Sequence, residues 1–166
     1  MSRFLFNCTT NNVGGGVKNA AIFIENVIND RENTWYFAIS QEVAQLLSDM
    51  SIHIDDRFYV FKNSPSKNRK SRKNLLSISQ NLKVDLVYTM AGPAYVKFRI
   101  PHLMGVSNPY LTHARIADII KFKSTIALPI FFFRFLYKSY YLRLADYYLF
   151  QTSFSEKKFL EKHSGR

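Results

Sequence analysis

The sequence predicts an α/β domain built on a mainly parallel sheet with helices on both faces, and three observations carry that expectation. Short apolar runs of β type alternate with stretches of helical periodicity from Phe4 to Lys162, which is the pattern that strand–helix–strand units leave in a chain. The first apolar run enters three consecutive glycines, Gly14, Gly15 and Gly16, and a helical pattern follows at once. The length of 166 residues, 47% of them apolar, fits a single domain that buries roughly 70% of its unfolded surface.

The elements follow in order. Phe4–Thr9 reads as a strand, and Ala20, Phe23, Ile24, Val27 and Ile28 recur on one face of a helix over Val17–Asn29. Thr34–Ile39 is the second strand. Ser40 is placed to cap a helix over Gln41–Met50, where Val43, Leu46 and Leu47 share a face. Arg57–Phe61 is a third strand. Ser66–Asn81 reads either as a basic helix or as a half-ordered loop. Val84–Thr89 is a buried fourth strand, His102–Val106 a fifth opened by Pro101, and Tyr147–Thr152 a sixth, with a helix over Ser155–Lys162. Residues 115–144 stand apart. They are long, aromatic and basic, and Pro129 is expected to break or kink any helix there.

The charge is lopsided. The net charge is +11, with −3 on residues 1–61 and +14 on residues 62–166. A positive second half suits nucleic acid, anionic headgroups or phosphorylated ligands. Residues 62–73, KNSPSKNRKSRK, hold six basic side chains and no acidic one. They read as a phosphate-binding surface or as a solvated loop. The apolar run at the N-terminus is far too short for a secretory signal. Ser124–Phe133 is too short to span a bilayer, which takes roughly 20 apolar residues. Cys8 is the sole cysteine, so no internal disulfide can form, and with the four histidines scattered no metal-ligand cluster is visible.

In a parallel sheet of this kind ligands sit outside the carboxyl ends of the strands. The tips to watch are residues 10–16, 89–93, 107–113 and 151–153. The glycine turn reads in two ways. Glycines allow close approach of a ligand to the backbone, and a helix N-terminus presents free N–H groups to an anion; alternatively the turn is a tight connection that binds nothing. Lys18, one position beyond the turn region, either meets a phosphate or stays solvated. Asp85, Asp118 and Asp146 form no carboxylate pair by spacing; Asp85 and Asp146 precede strands and read as turn or capping residues.

Four pieces in order, NCTTNNVGGGVKNA, VDLVYTMAGPAYVKFRIPH, LMGVSNPYL and ADYYLFQTSFSEKKFL, resemble the N-terminal domain of a family 4 glycosyltransferase of the GT-B type. AGPAYV followed by IPHLMGVSNPY resembles the bacterial polysaccharide-assembly members of that family. The resemblance implies a Rossmann-like three-layer sandwich over residues 1–166, one half of a GT-B fold. Such a half binds the acceptor, while a second, donor-binding domain holds the nucleotide sugar across a cleft. That donor domain and its paired glutamates are not found in this sequence; Glu156 and Glu161 do not match them.

The resemblance also assigns residues. Gly14, Gly15 and Gly16 with Lys18 would lie on the phosphate side of the donor, and Ala91, Gly92, Pro93 and Tyr110 would line the acceptor side. Some relatives carry a histidine at the end of the fifth strand, near the reacting sugar. Here Ser107 stands there with Asn108 beside it, and His113 follows; these three are the catalytic candidates. His102 opens the strand and reads as structural. No cofactor is implied, the nucleotide sugar being a substrate. The implied setting is cytoplasmic, peripheral on the inner face of the plasma membrane, with residues 115–144 meeting an anionic surface or packing on another domain. A donor-domain polypeptide would be a partner, and the chain alone would be inactive. Two rivals remain: a basic nucleic-acid-binding domain, and a binding-only subunit or remnant of a transferase. The aromatics are not interleaved with lysines as a stacking platform would be, so nucleic acid is not the expected partner.

Overall fold

The computed structural model describes residues 1–108, 112 and 128–163. Six parallel strands form one sheet: β1 (Arg3–Cys8), β2 (Thr34–Ser40), β3 (Phe58–Phe61), β4 (Leu86–Thr89), β5 (His102–Val106) and β6 (Tyr147–Phe150), in the order β3-β2-β1-β4-β5-β6. The strand order reverses between β1 and β4. The loops leaving their carboxyl ends therefore turn to opposite sides and open a crevice.

Helices α1 (Gly15–Val27) and α2 (Gln41–Asp49) cover one face of the sheet, where Phe6, Cys8, Phe37 and Ile39 meet Ala20, Ala21, Ile24, Val43 and Leu47. Helices α3 (Arg69–Asn81), α4 (Leu128–Leu142) and α5 (Ser153–His163) take the other. There Leu5, Ala38 and Val87 pack on Leu75 and Ile78, and Met104 and Val106 pack on Leu142 and Phe159. The Rossmann-like three-layer arrangement expected from the sequence is therefore present. Burial pushes the Cys8 thiol up out of its reactive range.

Besides shifts of one or two residues at several other strand and helix ends, three features differ from the sequence reading. Helix α1 starts at Gly15 rather than Val17, because Gly14 adopts φ +63° and acts as the N-cap, leaving Gly15 and Gly16 in the first turn. Residues 69–81 are helical without ambiguity: the Asn68 side-chain oxygen accepts from the Ser71 N–H at 2.9 Å, a cap that local propensity alone hides. Helix α4 runs unbroken from Leu128 to Leu142 with Pro129 near its described start, so the proline does not interrupt the residues after it. Ser40 caps α2 as its type and place predict, accepting from the Val43 N–H at 3.2 Å.

Asp85 and Asp146 serve the same purpose at two places. Each carboxylate accepts the backbone N–H at the start of the neighbouring strand, Arg3 at 2.8 Å and His102 at 2.9 Å. Each returns its own N–H to that residue's carbonyl. They fix the register of β4 on β1 and of β6 on β5 at the amino edge, away from the crevice.

Inside the sheet a polar chain crosses three strands. The Thr9 hydroxyl donates to Asn7 Oδ1 at 2.8 Å, Asn7 Nδ2 donates to Thr89 Oγ1 at 3.1 Å, and Thr89 Oγ1 lies 2.8 Å from His102 Nε2. All four residues are buried. Phe98 packs edge-on against the imidazole at 4.8 Å between ring centroids. Burial lowers the His102 pKa to about 4 from 6.5, with Asp146 opposing only in part. The unfolded chain therefore takes up this proton first as pH falls. The stability that neutral His102 contributes is full above pH 6.5 and is lost on the way down to about pH 4. Urea unfolding should show stability falling by about 1.4 kcal/mol per pH unit inside that window, and His102→Gln should flatten the slope. An unchanged slope in the variant would assign the acid sensitivity to other groups.

Candidate functional site

The crevice at the carboxyl edge holds a hollow of about 550 Å³. Its floor comes from the strand tips: Thr10 after β1, Ala91, Gly92 and Pro93 after β4, and Ser107 and Asn108 after β5. Its wall comes from α4, through Arg134, Tyr137 and Lys138, and from Ser66 and Lys67 ahead of α3. Three cations and several hydroxyl and amide groups face this space, and no carboxylate or imidazole is among its described lining residues. Such a lining can hold a polyhydroxylated or phosphate-bearing ligand by hydrogen bonds and charge, but offers no strong carboxylate base.

The loop after β4 is held in an unusual shape. Ala91 and Tyr95 both adopt left-handed backbone angles, φ 52° and 61°, a conformation that side chains disfavour. The Gly92 N–H donates to the Gly105 carbonyl at 2.9 Å, which presses the loop against β5. A Cβ at Gly92 would lie 2.4 Å from Met104 Sδ and 2.5 Å from Met104 Cγ, and Met104 is fully buried. Glycine is thus required at this position by close approach.

The wall depends on Arg72. Its Nε donates to the Pro65 carbonyl at 2.6 Å, Nη2 donates to the Ser66 carbonyl at 3.1 Å and to the Tyr137 hydroxyl, and Nη1 donates to the Tyr141 hydroxyl at 2.9 Å. The guanidinium also lies 5.8 Å and 5.4 Å from the two tyrosine ring centres. Tyr95 packs on the same two rings, with centroids 5.7 Å and 5.4 Å away. Burial pushes the Tyr95 phenol up to about 12, so it acts as a neutral packing group. Arg72 therefore ties α3 and the segment ahead of it to α4, and Tyr95 packs the loop after β4 onto the same two tyrosines.

The glycine turn sits at the same edge, between β1 and α1, but does not line the hollow. Asn11 shapes it: Asn11 Nδ2 donates to the Gly16 carbonyl at 3.0 Å, and the Ser40 hydroxyl donates to the Asn11 carbonyl at 2.7 Å. A Cβ at Gly14 or Gly15 would meet nothing within 4 Å, so space above the turn is open. Lys18 is exposed on α1 and likewise does not face the hollow. Gly15→Ala removes no contact and adds none within the fold. It should leave the melting temperature within a degree or two while weakening phosphate or nucleotide binding by roughly tenfold if the turn cradles an anion, a loss of about 1.4 kcal/mol. Calorimetric titration with a nucleoside diphosphate reads this directly, and unchanged binding would leave the turn as a connection only.

Of the residues singled out from the sequence, the structure brings Ala91, Gly92, Pro93, Ser107 and Asn108 together at the hollow, and Gly14, Gly15, Gly16 and Lys18 do not line it. Tyr110 and His113 lie outside the described residues. Sequence reasoning missed Ser66, Lys67, Tyr95, Arg134, Tyr137 and Lys138 as lining groups. The two basic segments that supply the wall were visible, but nothing local says that they meet. Of the cations in residues 62–73, Arg72 is structural rather than solvated.

No family model and no curated protein matches the chain. Among solved structures, the chain is similar to the S. aureus MnaA–UDP complex, with TM-score 0.61 and 12% identity over 98% of this chain and 42% of that one. It is also similar to UDP-GlcNAc 2-epimerase from Neisseria meningitidis bound to UDP-GlcNAc, with TM-score 0.58 and 13% identity over 97% of this chain and 43% of that one. The fold is one half of a GT-B architecture. The chain spans about two fifths of the length of these neighbours. At this identity the likeness speaks for the fold alone. Among the described residues no group of three or more His, Cys, Asp or Glu is placed to hold a metal ion, and no helix is long and apolar enough to cross a membrane.

Proposed function

We propose that this chain is the acceptor-side half of a retaining glycosyltransferase that moves a sugar from a nucleotide-sugar donor to a glycan or lipid-linked acceptor in bacterial surface-polysaccharide assembly. The observation that supports this most is the hollow at the strand-order reversal, where the tips of β1, β4 and β5 meet a cationic wall. Transfer to a sugar hydroxyl depends mainly on positioning the acceptor and on stabilising charge on the departing diphosphate. Ser107, Asn108 and the loop Ala91–Pro93 would orient the acceptor, while Lys67, Arg134 and Lys138 would face its anionic groups. In this reading the donor is held by a second domain, supplied by a donor-half polypeptide, and the glycine turn faces its diphosphate.

A second reading, half of a sugar-nucleotide epimerase, is favoured by the name of one structural neighbour. Epimerisation at carbon needs a group that removes and returns a proton. The described lining of the hollow holds no carboxylate or imidazole, and His102 is buried under Phe98 with Nε2 engaged by Thr89. Product analysis separates the two. With a donor-half polypeptide and UDP-sugars present, transfer releases free UDP and a glycosylated acceptor. Epimerisation leaves the nucleotide sugar intact as its isomer, and that outcome would replace the transferase reading.

A further inference from the structure

Beside the hollow lies a second space. A depression of about 440 Å³ opens between α3 and α4, and both volumes fall within the range of about 300–1,000 Å³ that ligand sites occupy. The two adjoin. Lys67 and Tyr95 line both, while Tyr137 lines the hollow and Tyr141 the depression, with their ring centroids 5.0 Å apart. Tyr95, at this junction, holds the left-handed φ of 61°, and strained backbone of this kind gathers at ligand clamps.

Cations run through both spaces. Arg134 and Lys138 stand at the hollow, Lys67 at the junction, and Arg69, Lys73 and Lys97 at the depression. Lys67, Arg69, Lys73 and Lys97 are all exposed. No acidic residue is among the described lining of either space. Arg72 is not counted, since its guanidinium is engaged by Tyr137, Tyr141 and two carbonyls. Leu76 and Leu144 give the depression apolar surface, and Tyr140, 62% exposed, gives it an open ring.

We propose that the depression between α3 and α4 is a second subsite, continuous with the hollow, and that the two together hold an acidic sugar chain whose carboxylate or phosphate groups meet the cations. Six like charges around adjoining concavities repel one another until an anionic ligand neutralises them. Arginine and lysine bind carboxylate and phosphate by charge-assisted hydrogen bonds. A neutral glycan would leave those charges unmatched, and a single small anion would fill one space only. An acidic sugar chain presents hydroxyls, an apolar ring face for Tyr140 and anionic groups at intervals along its length. Single-stranded nucleic acid asks for successive open rings on which its bases stack. Among the described lining residues Tyr140 is the one exposed ring. That such a chain is the acceptor of a transfer rests on the transferase reading, whereas its binding does not. In that reading the hollow takes the growing end and the depression the part already built.

Calorimetric titration of the whole chain tests it. Tetragalacturonate should bind about tenfold or more tightly than maltotetraose, the strength of one charge-assisted hydrogen bond, and salt should narrow the difference. Maltotetraose phosphate separates phosphate from carboxylate as the preferred group. Arg69→Gln, Lys73→Gln and Lys97→Gln together should lower tetragalacturonate affinity by about tenfold or more. Tyr140→Ala is an independent variant for the same measurement and should lower it severalfold. Equal affinity for the acidic and neutral tetrasaccharides, or affinity untouched by both variants, would overturn the proposal. Tighter binding of oligouridylate than of either acidic tetrasaccharide would assign the surface to nucleic acid instead. Acid-selective binding by a chain that shows no transfer with a donor-half polypeptide would keep the subsite and remove the transferase reading. Transfer without acid selectivity would do the reverse.

Discussion

Arg72→Ala is expected to cost about 2–4 kcal/mol and to release α4 from the body of the domain. The guanidinium makes charge-assisted hydrogen bonds to two carbonyls and two tyrosine hydroxyls and stacks near both rings. Hydrogen bonds to charged groups contribute about 1.5–3 kcal/mol each, and the ring contacts add to them. The sum is discounted because Arg72 is only half-buried. Arg72→Lys should lose most of the same stability, since an ammonium cannot span four acceptors in a plane. Amide hydrogen exchange should show α4 opening in both variants while β1 and β2 stay protected. If Arg72→Lys matched the wild type in exchange and in urea unfolding, charge rather than the fork would be what holds the wall.

Gly92→Ala is expected to cost about 2–3 kcal/mol, in the range of overpacking a filled core. The new methyl group would stand 2.4 Å from Met104 Sδ, so the fully buried Met104 side chain would have to shift within the core. The loop cannot swing away easily, as the Gly92 N–H is bonded to Gly105 and both Ala91 and Tyr95 already hold left-handed angles. Met104→Ala in the same chain should restore part of the loss, so that the double variant is more stable than the sum of the single losses predicts. Strict additivity would mean that the clash is relieved elsewhere. Since the loop forms the floor of the hollow, the single variant should also weaken any ligand held there.

The parts of this structure that were legible in the sequence are those fixed by local periodicity. TWYFAI and the Ser40 cap announce β2 and α2, and the observed boundaries agree to within a residue. The parallel sheet follows from the alternation, and from the sheet follow the tips after β4 and β5. That is why Ala91, Gly92, Pro93, Ser107 and Asn108 were reachable before the structure and do gather at one hollow. Residues 66–81 were ambiguous because the first turn of α3 is wholly polar, and its apolar anchors, Leu75 and Ile78, come only later. The wall of the hollow was not legible at all. It arises from Arg72 meeting Tyr137 and Tyr141 across more than sixty positions of chain, a pairing that no local pattern encodes. The glycine turn was placed correctly at the sheet edge, but its shape is held by Asn11 and Ser40, two polar residues with no motif of their own.

The most direct measurement of the central claim is the initial rate of sugar transfer by the chain combined with a donor-half polypeptide, with acceptor and nucleotide sugar varied in turn. The account predicts no turnover by the chain alone. In the pair it predicts that Lys67→Ala and Arg134→Ala raise the KM for acceptor by about tenfold or more, a loss of roughly 1.4 kcal/mol or more of binding, with the KM for donor little changed. Turnover of nucleotide sugar by the chain alone, or a pair in which those substitutions move the donor KM and leave the acceptor KM untouched, would contradict it.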